Sequence, residues 1–285
     1  RNVTWIGLAA NLVLAAFKFA AGYWGRSQAM IADAVHSLTD TVTDIAVIVG
    51  SHFWARPPDQ GHPYGHRRLE TLITVCIGAM LAAAGVSIGW DALTNLKQDG
   101  ANNPGWIAAA AAALSIVCKE ILYRWTARTG RRLKSPALVA NAWHHRTDAI
   151  SSIPVLVAVA GAILFPEWSF LDRVGAVVVS LFILQAAIGI AWPGLRELVD
   201  SGAPEAIQKD IARVAGDKDG VLQVHDIRTR YIGASIQVDL HIVVDGSISV
   251  REGHSIADEV ERRLITDLPD IIDVVIHVDP PESAK

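Results

Sequence analysis

Long apolar runs separated by short polar punctuation dominate the chain from its start to about Trp192. A hydrocarbon core of ~30 Å is crossed by about 20 residues of α-helix. Six stretches meet that length: Val3–Tyr23, Ala29–Phe53, Leu69–Ala92, Pro104–Trp125, Ala137–Phe165 and Phe170–Trp192. The first has no small-residue cleavage site and leads straight into the second, so it reads as a span rather than a signal peptide. From Ala203 onward acidic and basic residues recur every few positions, as on a water-facing surface. There Pro204–Ala215 and Val250–Leu268 have helical spacing, whereas Val221–Ile232, Ser235–Val244 and Ile271–Val278 alternate like strands. An α-β-β-α-β order predicts an antiparallel-rich sheet with helices on one face. The expected domains are an α-helical membrane bundle of six transmembrane helices over 1–200 and a small α+β domain over 201–285.

Composition agrees with a membrane protein. The 285 residues are 51% hydrophobic and 19% charged, with a mean hydropathy of +0.32, too apolar for an ordinary soluble domain. Lys and Arg collect in two connections, at Arg56, Arg67 and Arg68 and at Arg124, Arg128, Arg131, Arg132 and Lys134. Positive charge marks the cytoplasmic side of a bilayer, and the opposite connections hold only Arg26, Lys97 and Arg173, the last two beside Asp99 and Asp172. An even number of spans then places both termini and the tail in the cytoplasm. Trp24, Trp106, Trp168 and Trp192 fall at the expected interfaces. The net charge of -4 gives no footing for a nucleic-acid partner. Cys76 and Cys118 are single and lack C-x-x-C spacing, so they read as buried apolar thiols rather than a disulfide or thiolate site.

The second and fifth spans carry the intramembrane charges. In the fifth, His144 and Asp148 lie four residues apart on one helical face. The second repeats that spacing in His36 and Asp40, within a stripe of Asp33, His36, Asp40 and Asp44. Each ionisable residue in a span costs about 2.5–3.5 kcal/mol on insertion scales, so the stripe faces the bundle interior. A seam of interhelical hydrogen bonds would also suit a polar stripe, but would not need the repeated pair. Two such pairs offer four nitrogen and oxygen ligands, a full tetrahedral shell for a divalent cation. His145 points ~100° away from His144 and reads as a neighbour rather than a ligand. Pro154, in the turn that follows, frees a backbone carbonyl and is a plausible pivot.

Two further clusters have ligand chemistry. The loop from Pro57 to His66 contains two prolines and two glycines, which rule out a helix and allow Asp59, His62 and His66 to converge on one ion; a purely structural loop fits almost as well. In the tail, His277 and Asp279 share a strand face, and His241 stands opposite Leu240 and Ile242 on its own strand. With His225 and His254 they make five donors on elements that should pack together.

Taken together, the chain resembles the cation diffusion facilitator family. The resemblance rests on six spans, the His/Asp pairs in the second and fifth, and the Pro-Pro-Asp…His-Pro-Tyr-Gly-His loop. It also rests on a tail with His-Asp-Ile-Arg-Thr-Arg and Ile-His-Val-Asp-Pro. It implies a homodimeric exporter in a lipid bilayer, by expectation a bacterial inner membrane, that exchanges a cytosolic divalent metal for protons by alternating access. The tail is then ferredoxin-like and metallochaperone-like. It further implies that His36, Asp40, His144 and Asp148 form the transport site and Asp59, His62 and His66 a loop site. His225, His241, His254, His277 and Asp279 would form a site at the dimer interface, with Arg68 and Asp200 as an interlocking charge pair. Members with aspartate in place of His36 resemble exporters that also accept cadmium or iron. Two imidazoles and two carboxylates suit Zn²⁺, and Co²⁺ accepts the same shell. A metal-sensing scaffold without transport is the alternative. An intramembrane metalloenzyme is disfavoured, because there is no His-Glu-x-x-His and four protein ligands leave no position for substrate water.

Overall fold

The computed structural model describes residues 2–54, 56–96, 104–132 and 136–281; Lys97, Asp99, Lys134 and the side chain of Asp44 lie outside the described residues. Six long helices come first: α1 (Asn2–Trp24), α2 (Gln28–Trp54), α3 (Arg68–Thr94), α4 (Trp106–Arg132), α5 (Pro136–Leu164) and α6 (Phe170–Leu198). The tail follows as α7 (Glu205–Gly216), β1 (Gln223–Ile232), β2 (Ser235–Val243), α8 (Val250–Asp267) and β3 (Ile271–Asp279). Every expected span is therefore a helix, with ends within a few residues of the expected ones except at α4 and α6, which run on past Trp125 and Trp192. Among the described residues, five of them are long and apolar enough to cross a membrane, and α2, which carries the ionisable stripe, is not one of the five. Pro154 lies inside α5, which continues through it.

Contacts divide the chain into two compact units, Arg1–Ser51 with Cys76–Ala191, and His52–Val75 with Trp192–Lys285. In the first unit all six helices contribute to one core built largely from small residues. Ala21, Ala29, Met30, Ala92, Ala108, Ala111, Ala112, Val155, Val159, Ala176 and Ile183 are buried there. Small side chains let helix backbones approach closely, which is how helices associate where lipid is as apolar as leucine. At Gly175 a Cβ would stand 2.6 Å from Ala158 Cβ and 3.0 Å from Ala29 Cβ, so α6 touches α5 and α2 there. The carboxylate of Asp172, at the start of α6, accepts from Ser27 Oγ at 2.5 Å and from the Gln28 amide at 2.7 Å, capping the start of α2. Leu12, Val13, Phe17, Met80, Val117 and Ile188 point outward, as lipid-facing residues do. Cys76 does too, and Cys118 is half-buried, so neither is the fully buried thiol expected from its apolar surroundings.

Charge is not confined to α2 and α5, as the sequence pattern implied. Lys18 on α1 and Lys119 on α4 are each 1% exposed. Lys18 pairs with Asp33 at 2.7 Å and donates to Ser37 and Ser152, tying α1 to α2 and α5.

In the tail, Ile211, Val214 and Ala215 of α7 and Ala257, Val260 and Leu264 of α8 pack on Ile236, Val238, Leu240 and Ile242 of β2 with Ile271 and Val274 of β3. Ser249 and Glu252 form a reciprocal capping box that starts α8. The sheet order is β1-β2-β3, with β1 and β2 antiparallel and β2 and β3 parallel. The sheet is thus mixed rather than antiparallel-rich. A helical crossover through α8 returns the chain to the starting end of β2, and that makes the second pairing parallel.

Gly175→Val is expected to lower the stability of the purified protein in detergent by about 1–3 kcal/mol through overpacking. Gly189→Val, where a Cβ meets nothing within 4 Å, is the matched control in the same thermal unfolding measurement.

Candidate metal centre

Within the membrane helices, ligand atoms of Asp40, His144 and Asp148 lie within 4.8 Å of one another. They come from α2 and α5, and His144 Nδ1 stands 3.8 Å from Asp148 Oδ1 on the adjoining turn. His36 is outside this group. Its Nδ1 is buried with no hydrogen-bond partner among the described residues, an unsatisfied atom one turn from Asp40. His145 is 1% exposed and both ring nitrogens lack a hydrogen-bond partner among the described residues; its Nε2 would lie 3.5 Å from a Cβ at Gly7, so the ring packs against α1. Asp148 Oδ2 also accepts from Lys119 Nζ at 2.7 Å, and the same ammonium donates to Asn11 Oδ1 at 2.9 Å.

The loop before α3 brings its three expected residues together. Asp59 Oδ1 accepts from the amides of Gly61 (2.9 Å) and His62 (2.7 Å), a turn that fixes the carboxylate. His62 Nδ1 and His66 Nε2 each lie 3.3 Å from Asp59, and the two rings are 4.2 Å apart. The His62 amide hydrogen bond is the first reason that the Asp59 carboxyl is held below the usual carboxylate range. His66 is largely covered, while His62 and Asp59 are open.

In the tail, strand register lines up three imidazoles. His225 pairs with His241 across β1 and β2, and His241 with His277 across β2 and β3. Neighbouring ring centroids are 5.2 and 4.7 Å apart. Asp279 joins them: its Oδ2 is 2.8 Å from His241 Nδ1 and 3.5 Å from His225 Nε2, and its Oδ1 is 3.2 Å from His277 Nε2. Leu240 and Ile242, on either side of His241, are buried in the opposite face. The fifth expected donor is not part of this ladder. His254 lies on the exposed face of α8, 3.5 Å from Asp258.

Residues 4–199 match the cation efflux transmembrane domain and residues 203–281 the cytoplasmic domain of cation efflux proteins. The chain belongs to the cation diffusion facilitator family. This cation efflux protein is 37% identical to metal tolerance protein C1 of Arabidopsis thaliana over 96% of the chain, and spans 61% of that protein's length. It is 31% identical to the manganese efflux system protein MneP of Bacillus subtilis, covering 98% of the chain and 96% of the relative. Among solved structures, the zinc form of CzrB is 33% identical over 30% of this chain and 98% of its own, with a TM-score of 0.29. The family transports metal ions and is not enzymatic, so the efflux protein is an integral membrane transporter of divalent metal cations.

Two features of this transporter lie outside the ligand spacing. Arg68 Nη2 donates to Asp200 Oδ1 at 2.9 Å, and Arg67 donates to Ser235 at 2.7 Å. Asp200 has φ +52°, and the bonds from Asp200 N to Glu197 O and from Ser201 N to Arg196 O make a left-handed cap at the end of α6 that aims the carboxylate. The second feature is the pair of buried lysines, Lys18 and Lys119. Each is a charge in an apolar helix, and the insertion cost of such a charge is the sequence signal that would have found it.

The hydrogen bond from His241 is the first reason that the Asp279 carboxyl is held below the usual range. A depressed carboxylate stabilises the fold above its unfolded pKa of about 4, and that contribution is lost as pH falls through the lower folded value. With chelator present, acidification from pH 7 to 3 is expected to release amide hydrogen-exchange protection of β3. Asp279→Asn should flatten that acid dependence, and superimposable profiles would count against the linkage.

Proposed function

We propose that the protein is a homodimeric exporter that moves Zn²⁺ out of the cytoplasm in exchange for protons by alternating access. The observation that carries this reading is the convergence of Asp40 and the His144/Asp148 pair from two membrane helices. Two carboxylates and one imidazole, with His36 one turn away to complete the shell, suit a tetrahedral ion. An imidazole with an ordinary pKa of about 6.5 must lose its proton to bind metal, so cation and proton compete at one site. Opened inward, the site takes the cation and releases protons. Opened toward a more acidic compartment, protonation of the same ligands expels the metal.

The remaining clusters fit supporting roles. Asp59, His62 and His66 are an open cytoplasmic site that exchanges readily with solvent. His225, His241, His277 and Asp279 hold metal on the tail, with His254 supplied across a dimer interface, and occupancy there biases the dimer toward one conformation. The Arg68–Asp200 pair fastens the start of α3 to the end of α6. The basic connections support cytoplasmic termini, and the Bacillus subtilis relative supports a bacterial plasma membrane setting.

A second reading has its own support. The Bacillus relative is named for manganese efflux, and Mn²⁺ favours oxygen-rich shells such as the Asp40/Asp148 pair offers. Metal-driven proton flux in proteoliposomes, compared across Zn²⁺, Cd²⁺, Co²⁺, Fe²⁺ and Mn²⁺, separates the two, with Zn²⁺ expected to give the largest flux. Asp148→Ala is expected to abolish zinc uptake to the level of protein-free vesicles, and wild-type uptake by that variant would remove the site. His36→Asp should shift the Zn/Cd ratio toward cadmium, and an unchanged ratio would remove the selectivity argument.

A further inference from the structure

Four carboxylate and imidazole side chains suffice for the proposed transport shell, yet a fifth charged group touches it. Lys119 projects from α4 and is 1% exposed, and its ammonium donates to Asp148 Oδ2 at 2.7 Å. The other carboxylate oxygen, Oδ1, is the one toward His144. A full positive charge therefore sits on the carboxylate that a divalent cation needs, and both of these groups are buried. Purely structural neutralisation is the plainer account of a buried lysine, and Lys18 fits it: its ammonium is fixed by Asp33 and two serine hydroxyls. Lys119 differs in its second partner. It also donates to Asn11 Oδ1 at 2.9 Å, a neutral acceptor on α1 that is itself 2% exposed. On a flexible four-carbon stem, the ammonium has an acceptor to keep when it leaves Asp148, and so its departure does not strand an unsatisfied buried donor.

We infer that Lys119 is a tethered competitor of the transported cation: its ammonium holds Asp148 and yields to the divalent ion, moving onto Asn11. The competition weakens ground-state metal binding and hastens release, because the lysine returns to the carboxylate as the metal departs. It also links α1 and α4 to occupancy of ligands carried by α2 and α5. This inference rests on Asp148 being a ligand of the transported ion, as proposed above.

The test is Zn²⁺ titration calorimetry on the full chain in detergent. Asp59→Ala and Asp279→Ala are combined as background, so that the membrane site is read alone. Lys119→Gln keeps an N–H donor to Asp148 but loses the charge, and Lys119→Met loses both. Each is expected to bind Zn²⁺ about tenfold more tightly, since a like charge at contact has been removed. In proteoliposomes KM should fall together with the maximal rate, a split that simple structural damage does not produce. Asn11→Leu removes the alternative acceptor and should weaken binding severalfold, which decides the sign even where neither lysine variant folds. Folded Lys119 variants with unchanged or weaker affinity would overturn the inference, as would an Asn11→Leu protein that binds as well as its background. Asp148→Asn distinguishes the two levels. If it still binds Zn²⁺ fully, the ligand assignment itself fails and this inference with it; if it does not, the lysine variants alone decide.

Discussion

Everything in the membrane unit depends on keeping charge neutral where there is no water. A carboxylate inside an apolar bundle is tolerated only with a cation or hydrogen-bond donors at contact, and removing one partner of a buried pair typically costs about 3–5 kcal/mol. Here α2 and α5 carry buried acids, and α1 and α4 carry the lysines that answer two of them. Lys18 meets Asp33 and Lys119 meets Asp148, both at 2.7 Å. The alanine-rich core is the packing counterpart of this requirement, since only close helix approach lets a lysine on one helix reach an acid on the next.

The three ligand clusters are built on different kinds of backbone, and their chemistry follows. The membrane group hangs on two separate helices, so any relative movement of α2 and α5 changes its ligand set. His36, left outside the present group, marks how small a change would matter. The loop group is local, held by a single carboxylate turn within a few residues, and it is largely open to solvent. The tail group sits on a hydrogen-bonded sheet whose register fixes the imidazole spacing. A ligand set shared by two helices can be altered by shifting one of them, whereas a set on a hydrogen-bonded sheet keeps its spacing.

The helices, and the meeting of Asp40 with His144 and Asp148, were legible because their signals are strong and local. Length and hydropathy mark a span, and i, i+4 spacing marks a face. The boundaries of the tail elements were legible to within a few residues for the same reason. What escaped was non-local. Lys18 and Lys119 are each a single charge in an apolar run, and nothing nearby in sequence identifies an acid on another helix as partner. The parallel pairing of β2 with β3 depends on where α8 returns the chain, which strand alternation does not encode. His254 has the same residue type as the ladder histidines, but it lies on a helix, facing Asp258 instead.

The ladder itself depends on one irregularity that alternation alone would miss. From the hairpin end, β1 pairs with β2 in the register Ile232 to Ser235, Tyr231 to Ile236 and so on to Arg228 with Asp239. Continued unbroken, that register would set His225 opposite Ile242, and partners opposite one another in an antiparallel pair project to the same face. His225 would then point into the core beside Ile242. Instead a bulge at Asp226 and Ile227, with Asp226 at φ +50°, sets two residues of β1 against Leu240 alone. Beyond it the pairing is shifted by one, so that His225 meets His241 and Val224 takes the place in the core opposite Ile242. One extra residue thus moves an imidazole from the apolar face to the face of His241 and His277. The left-handed backbone at Asp226 is therefore what brings His225 into line with His241 and Asp279, rather than an accident of its edge strand.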